Sequence, residues 1–199
     1  RAAYSVGLLD RAADRARTNV DAFTDYLDDG WEVVAVEPSD AVVFQDEYTD
    51  LLATDAAERV AGHSYGVCEY LDVHRLVEEL PVREGLEADA LAYHGHCHQH
   101  AAGKDHHAVG VLRRAGYDVD PLDSGCCGMA GSFGYEAEHY DVSTSIAELL
   151  FEKIRASEAT QVVAPGGSCR SQIGDSALVS EHPPHPVELL ARALDIDSR

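Results

Sequence analysis

Apolar residues at Leu9, Ala13, Ala16, Val20, Phe23 and Leu27 recur three and four positions apart, a spacing that lines one face of a helix, and Gly30 supplies its stop. The period then changes. Trp31-Glu32-Val33-Val34-Ala35-Val36 is a short β-branched run closed by Glu37-Pro38-Ser39, which predicts a buried strand. A loop and a further helix through Leu52 follow, helical spacing returns over Glu69 to Leu80, and the polar stretch Pro81 to Ala88 predicts a connection between two parts of the chain.

Beyond that connection the pattern alternates. Ala90-Leu91-Ala92-Tyr93, Tyr117-Asp118-Val119-Asp120 and Gln161-Val162-Val163-Ala164 are strand-like. Between and after them, His107 to Ala115 (capped by Gly116), Val142 to Ala156, a segment from about Cys169, and Pro186 to Leu194 are helical. Strands alternating with helices predict an α/β fold of parallel-sheet βα units. An internal echo, Val34-Ala35-Val36-Glu37-Pro38-Ser39-Asp40 against Val163-Ala164-Pro165-Gly166-Gly167-Ser168-Cys169, suggests two related modules, the first incomplete. The expected division is 1–85 and 86–199.

Composition narrows the class. With 45% hydrophobic residues in 199 positions the chain can bury an ordinary core, and no apolar run approaches the ~18 residues a membrane helix needs. Without a charged-then-apolar leader it reads as a cytoplasmic protein, a peripheral position at a membrane staying open. Its start at Arg1 predicts a fragment or a processed product. The 36 acidic residues outweigh 15 basic ones, giving a formal net charge of -21 that argues against a nucleic-acid partner. The acids are spread along the chain, as in adaptation to high salt; an acidic docking face for a basic partner is the other reading.

Five cysteines carry the candidate chemistry. Cys97 follows the first strand of the second half, the glycine-bracketed doublet Cys126-Cys127 the next, and Cys169 the last. In an open parallel sheet the carboxyl ends of the strands share one edge, so these four thiols are expected to converge there, the doublet on a bent, exposed loop. Four thiolates suit a [4Fe-4S] cluster or tetrahedral zinc. An odd cysteine count in a leaderless acidic chain argues against structural disulfides, and Cys68, opening a predicted helix far from the others, reads as structural. In the run His94-Gly95-His96-Cys97-His98-Gln99-His100, followed by His106-His107, some histidines could ligate zinc or hydrogen-bond the sulfurs; most are not expected to be ligands, and the residues flanking Cys97, His96 and His98, are the candidates to hydrogen-bond the sulfurs.

The motifs His96-Cys97-His98-Gln99, Gly125-Cys126-Cys127-Gly128-Met129-Ala130-Gly131-Ser132-Phe133-Gly134, Gly167-Ser168-Cys169-Arg170-Ser171-Gln172 and His185-Pro186-Val187-Glu188 together resemble the cysteine-rich CCG domain. That domain occurs in heterodisulfide reductase, in the iron–sulfur subunits of glycolate oxidase and anaerobic glycerol-3-phosphate dehydrogenase, and at the C-terminus of FAD-linked oxidases. Ser5 to Ala13 with Glu37-Pro38-Ser39-Asp40 is similar to the end of a preceding repeat, with Asp40 where the family has cysteine. The family's fullest form ends in Cys-x-x-Cys; Gly166 stands at the first of these positions, which counts against a five-cysteine noncubane cluster.

The resemblance implies an electron-relay module of a FAD-linked D-2-hydroxy-acid dehydrogenase (D-lactate, glycolate or D-2-hydroxyglutarate type), with Cys97, Cys126, Cys127 and Cys169 as ligands. FAD would lie elsewhere in the parent protein, since no dinucleotide fingerprint occurs here, and the fragment alone would not turn over substrate. Its partners would be the FAD-binding domain or subunit and a downstream electron acceptor. A structural zinc or partner-docking module without a redox role, or a thiol catalyst acting on disulfides, uses the same residues.

Overall fold

The computed structural model describes residues 2–83 and 90–195. The expected 85/86 division and most of the 81–88 connection therefore lie outside the described residues. Two compact units emerge, Arg1–Tyr70 and Leu71–Arg199. Both are built of helices and short parallel strands, an α/β arrangement of βα units.

The first unit opens with α1 (Ala2–Ser5) and α2 (Leu9–Asp28) and continues through β1 (Val33–Ala35), α3 (Pro38–Val42), a π-helical turn Val43–Glu47, α4 (Tyr48–Leu52), α5 (Asp55–Gly62) and β2 (Ser64–Gly66). Most of the predicted stripe holds: Ala13, Ala16, Val20 and Leu27 of α2 are buried, the last three meet Val43, Tyr48, Ala57 and Val60 in one cluster with Phe23 packed against it, and Leu9, at the start of the helix, is exposed. The chain leaves α2 through Gly30 at φ +84°, a left-handed conformation that costs glycine little. Among the described residues β1 pairs only with β2, in parallel. The strand expected to be buried is therefore half covered: Ala35 is buried while Trp31, Val34 and Val36 are exposed, because a two-stranded sheet offers few neighbours to both faces. The strand β2 escapes the sequence pattern because Ser64-Tyr65-Gly66 is three residues long and lacks β-branching.

The helix expected over Glu69 to Leu80 is shorter than its pattern. α6 (Val67–Val73) ends before Arg75, which takes a left-handed φ of +57°, and a 3₁₀ turn occupies Leu76–Glu79. The Arg75 guanidinium donates twice to Glu78 Oε1, at 3.0 and 2.8 Å, and once to Oε2 at 2.8 Å, a local ion pair beside the break.

The second unit holds β3 (Ala90–Tyr93), α7 (Cys97–Ala101), α8 (His106–Arg114), β4 (Asp118–Pro121), α9 (Tyr140–Ala156), β5 (Gln161–Val163), α10 (Gly167–Gly174) and α11 (Pro186–Ala193). The strands form one parallel sheet of order β4-β3-β5, with Leu91 opposite Val119 and Gln161. All three carboxyl ends therefore open on the same edge. Helix α9 buries Ser143, Ala147 and Leu150 at helical spacing, and α10 buries Cys169 and Ile173. Cys127 and Cys169 belong to the same apolar cluster as Ala92, Met129, Leu150, Val162 and Ile173, so the thiols are part of the core as well as of the edge.

The echo between the halves has a structural counterpart. Glu37 and Gly166, aligned in the two sequences, are both the extended residue that starts a helix after a parallel strand, at φ/ψ of -79/122° and -87/133°. Asp40 and Cys169 consequently occupy the same third position of their helices. Asp40 is exposed and belongs to the first unit.

Candidate metal centre

Each strand of the second sheet delivers its cysteine differently. After β3 the chain passes through His94-Gly95-His96, then α7 begins at Cys97 with His96 as its cap, the His98 N–H donating to His96 Nδ1 at 3.3 Å. This short helix was not legible in the polar sequence. After β4, Leu122 N–H donates to Tyr93 O at 2.9 Å, and the chain reaches the doublet. After β5, Gly166 starts α10 and Cys169 sits in its first turn.

The doublet loop bends because its glycines permit it. Gly128 has φ +94°, Ala130 +42° and Gly131 +72°, so three of four consecutive residues are left-handed. A Cβ on Gly128 would lie 2.2 Å from the Ser143 carbonyl oxygen of α9, and one on Gly134 would lie 2.4 Å from Ser143 Oγ. The loop thus rests directly on the α9 backbone. Gln172 Nε2, from α10, also reaches Ser143, at 3.4 Å to its carbonyl and 3.3 Å to Oγ, which ties the second and third cysteine segments together. Cys126 and Cys127 then sit at different depths: Cys127 is 4% exposed, Cys126 half-buried.

The four predicted thiols meet. Cys97 and Cys127 donate to Cys126, and Cys127 also contacts Cys169. All five cysteines of the chain are free thiols. Donation from Cys127 and Cys97, with the Gly128 N–H at 3.3 Å, holds Cys126 far toward the thiolate. Cys169 is likewise shifted toward the thiolate, chiefly by Cys127, with the imidazoles of His94 and His96 assisting. Cys97 and Cys127 are held toward the thiol by the same contacts with Cys126, because adjoining sulfurs cannot all carry charge. Such a set favours a cation that replaces the shared protons. Cys68, buried apart from the cluster in α6, has its thiol pushed up to about 12 by burial alone.

The two flanking histidines separate in role. His96 is 4% exposed, and its ring fills the space over Gly166: a Cβ there would lie 2.3 Å from His96 Cδ2 and 3.4 Å from Cys169 Sγ. The imidazole occupies the place a side chain at position 166 would need. His98 contributes its backbone N–H toward Cys97, while its ring meets that of His96 edge to face at 5.1 Å. A third imidazole, less prominent in the sequence, also lies beside the sulfurs. His94 is wholly buried, and its ring nitrogen and the sulfurs of Cys127 and Cys169 all lie within 4.8 Å of one another. Alternation along an extended chain would group His94 with His96 and His98; the strand ends at Tyr93, so that parity is not maintained.

In a second group, Asp72 with His106 and His107, the carboxylate is engaged by a neighbouring imidazole and a guanidinium. His107 Nδ1 lies 2.6 Å from Asp72 Oδ2, and Arg114 pairs with the other carboxylate oxygen. Among the described residues no helix is long and apolar enough to cross a membrane.

The donor set, four convergent sulfurs with an enclosed imidazole nitrogen beside them, fits a thiolate-held metal or iron–sulfur centre. Comparison with known proteins gives several relatives of this chain. The chain is 30% identical over 195 residues to a subunit of the anaerobic glycerol-3-phosphate dehydrogenase of Escherichia coli, covering 94% of this chain and 47% of that protein. It is 28% identical over 179 residues to the D-2-hydroxyglutarate dehydrogenase of the same organism (87% of this chain, 17% of that protein). To the glycolate oxidase iron-sulfur subunit of that organism it is 27% identical over 198 residues, covering 96% of this chain and 47% of that protein. The chain therefore spans about half the length of two of these relatives and a smaller part of the third. Residues 91–174, which carry all four clustered cysteines, match the family model of the cysteine-rich CCG domain.

Proposed function

We propose that this chain is the iron–sulfur electron-relay module of a FAD-linked oxidoreductase that acts on a D-2-hydroxy acid, with Cys97, Cys126, Cys127 and Cys169 holding a [4Fe-4S] cluster. The observation that carries this reading is the meeting of four thiols from three separate strand ends at one sheet edge. The relatives named as an iron–sulfur subunit and as a hydroxy-acid dehydrogenase support the redox role and the substrate class.

A cluster bound at these residues would supply one-electron transfer between a two-electron flavin and an acceptor. The protein's own part is positioning. Cys127 and Cys169 anchor the site in the apolar core, where few waters reach the sulfurs. Cys97 and Cys126 are half-buried and form the side that faces solvent, the side from which an electron donor or acceptor approaches. His96 beside Cys169 and the N–H groups of His98, Gly128 and Met129 supply hydrogen bonds or positive potential to sulfur, which stabilise a more reduced centre. The FAD-binding partner would be a separate domain or subunit.

Anaerobic purification followed by iron and sulfide analysis tests the reading. The expected result is a brown protein with about four iron and four sulfide per chain, and a Cys→Ser change at any of the four positions lowers iron content while circular dichroism shows the helices intact. Stoichiometric zinc without sulfide would sink the relay and leave a structural zinc module.

A further inference from the structure

His94 is the first residue after β3, and its backbone is fixed by its N–H donating to Val163 O at 2.9 Å, which continues the pairing with β5. The side chain is 0% exposed. Its Nδ1 lies 2.8 Å from Ser124 Oγ, and Ser124 precedes the doublet by two residues, so the loop that brings Cys126 and Cys127 also orients this ring. Nε2 is sealed from solvent and lacks a hydrogen-bond partner in good geometry. The sulfurs of Cys127 and Cys169 stand beside the ring, in a group spanning at most 4.8 Å. On that side the ring faces the Cys169 sulfur.

A buried imidazole that serves only the core satisfies both nitrogens. Here one nitrogen is held and the other is left for the sulfur site. Metal-ligating histidines show this arrangement: the outer ring nitrogen donates to a fixed oxygen, and the inner nitrogen keeps its lone pair for the metal. Resting on the reading that the cysteine cluster holds a metal centre, we propose that His94 Nε2 is a ligand of that centre and Ser124 the positioning residue that fixes its tautomer. A centre with four terminal positions then takes one of its ligands from His94 in place of one thiol, with His94, Cys127 and Cys169 as its buried floor and the half-buried Cys97 and Cys126 at its mouth.

Metal K-edge X-ray absorption on the anaerobically loaded chain reads the ligand type directly. The wild-type protein shows imidazole scattering, and His94→Gln removes it while His96→Gln does not. Ser124→Ala keeps the imidazole contribution and weakens metal affinity by about 10–100-fold. Sulfur-only scattering in the wild type, or an imidazole contribution that survives His94→Gln, overturns the proposal. Where His94→Gln fails to fold by circular dichroism, pulsed EPR of the reduced wild-type centre, with and without ¹⁵N-histidine, combined with the Ser124→Ala spectrum, decides: no strongly coupled nitrogen refutes the ligand. The relay reading fails separately. Zinc with an imidazole ligand sinks the relay and upholds His94, four iron with sulfur-only scattering does the reverse, and a chain that takes up neither metal sinks both.

Discussion

Glycine at position 128 meets two independent constraints. Its φ of +94° is a conformation in which other residues are strained by about 1–2 kcal/mol. A Cβ there would also press to 2.2 Å on the Ser143 carbonyl, a backbone atom with no rotamer to yield. Adding an overpacking cost of about 1–3 kcal/mol, Gly128→Ala is expected to destabilise the metal-free chain by roughly 2–5 kcal/mol in chemical denaturation. Gly166→Ala meets a side chain instead, the His96 ring, and is expected to cost less and to displace His96 from Cys169. Cys68 gives the opposite kind of residue-scale prediction. With its thiol pushed up to about 12 by burial, roughly one molecule in ten thousand carries the thiolate at pH 8, so native alkylation with iodoacetamide should spare Cys68 and modify it only on unfolding. The linkage has a definite sign. Between about pH 8.5 and 12 the unfolded chain loses this proton first, so Cys68 lowers stability progressively as pH rises through that window and has no such effect below it.

At the scale of elements, the parts that positioned the site were legible because each combined a hydrophobic period with a punctuating residue. The three strands of the second sheet, the helices α8, α9 and α11, and the convergence of four cysteines on one edge all follow from that pattern. The elements that were not legible lack it. β2 is three residues long, α7 is five mostly polar residues started by a histidine cap, and the α6 pattern hides a left-handed Arg75. His94 was obscure for a related reason: whether a residue just past a strand points inward depends on where pairing stops, which a run of alternating histidines does not encode. The matching helix starts at Glu37 and Gly166 bear on Asp40, which stands at the position of Cys169 in its own helix yet is exposed in the first unit. Asp40→Ala is therefore expected to leave metal content unchanged. It should cost only the ~0.3–1 kcal/mol by which an acidic residue favours a helix N-terminus, a result that metal analysis and thermal denaturation check together.

For the whole molecule the governing quantity is the net charge of -21, carried by acids distributed over both halves of the sequence. Surface pairs such as Arg17 with Asp14 and Arg155 with Glu148 are exposed and offset little of it, since pairs of this kind contribute about 0–1 kcal/mol each. Self-repulsion among the unpaired acids opposes the compact state, and its range is set by the solvent: the screening length is about 10 Å at 0.1 M salt and about 3 Å at 1 M. Melting temperature should therefore rise steeply as potassium chloride increases from about 0.1 to 1 M, and flatten once the screening length falls below the spacing of neighbouring carboxylates. Potassium sulfate, which strengthens apolar burial as well as screening charge, should continue to raise it beyond that point. The pair of curves separates the two causes. A melting temperature insensitive to chloride would mean that the acids are spaced widely enough to be harmless at low salt, and would turn the acidic surface from an adaptation to salt into a docking face for a basic partner.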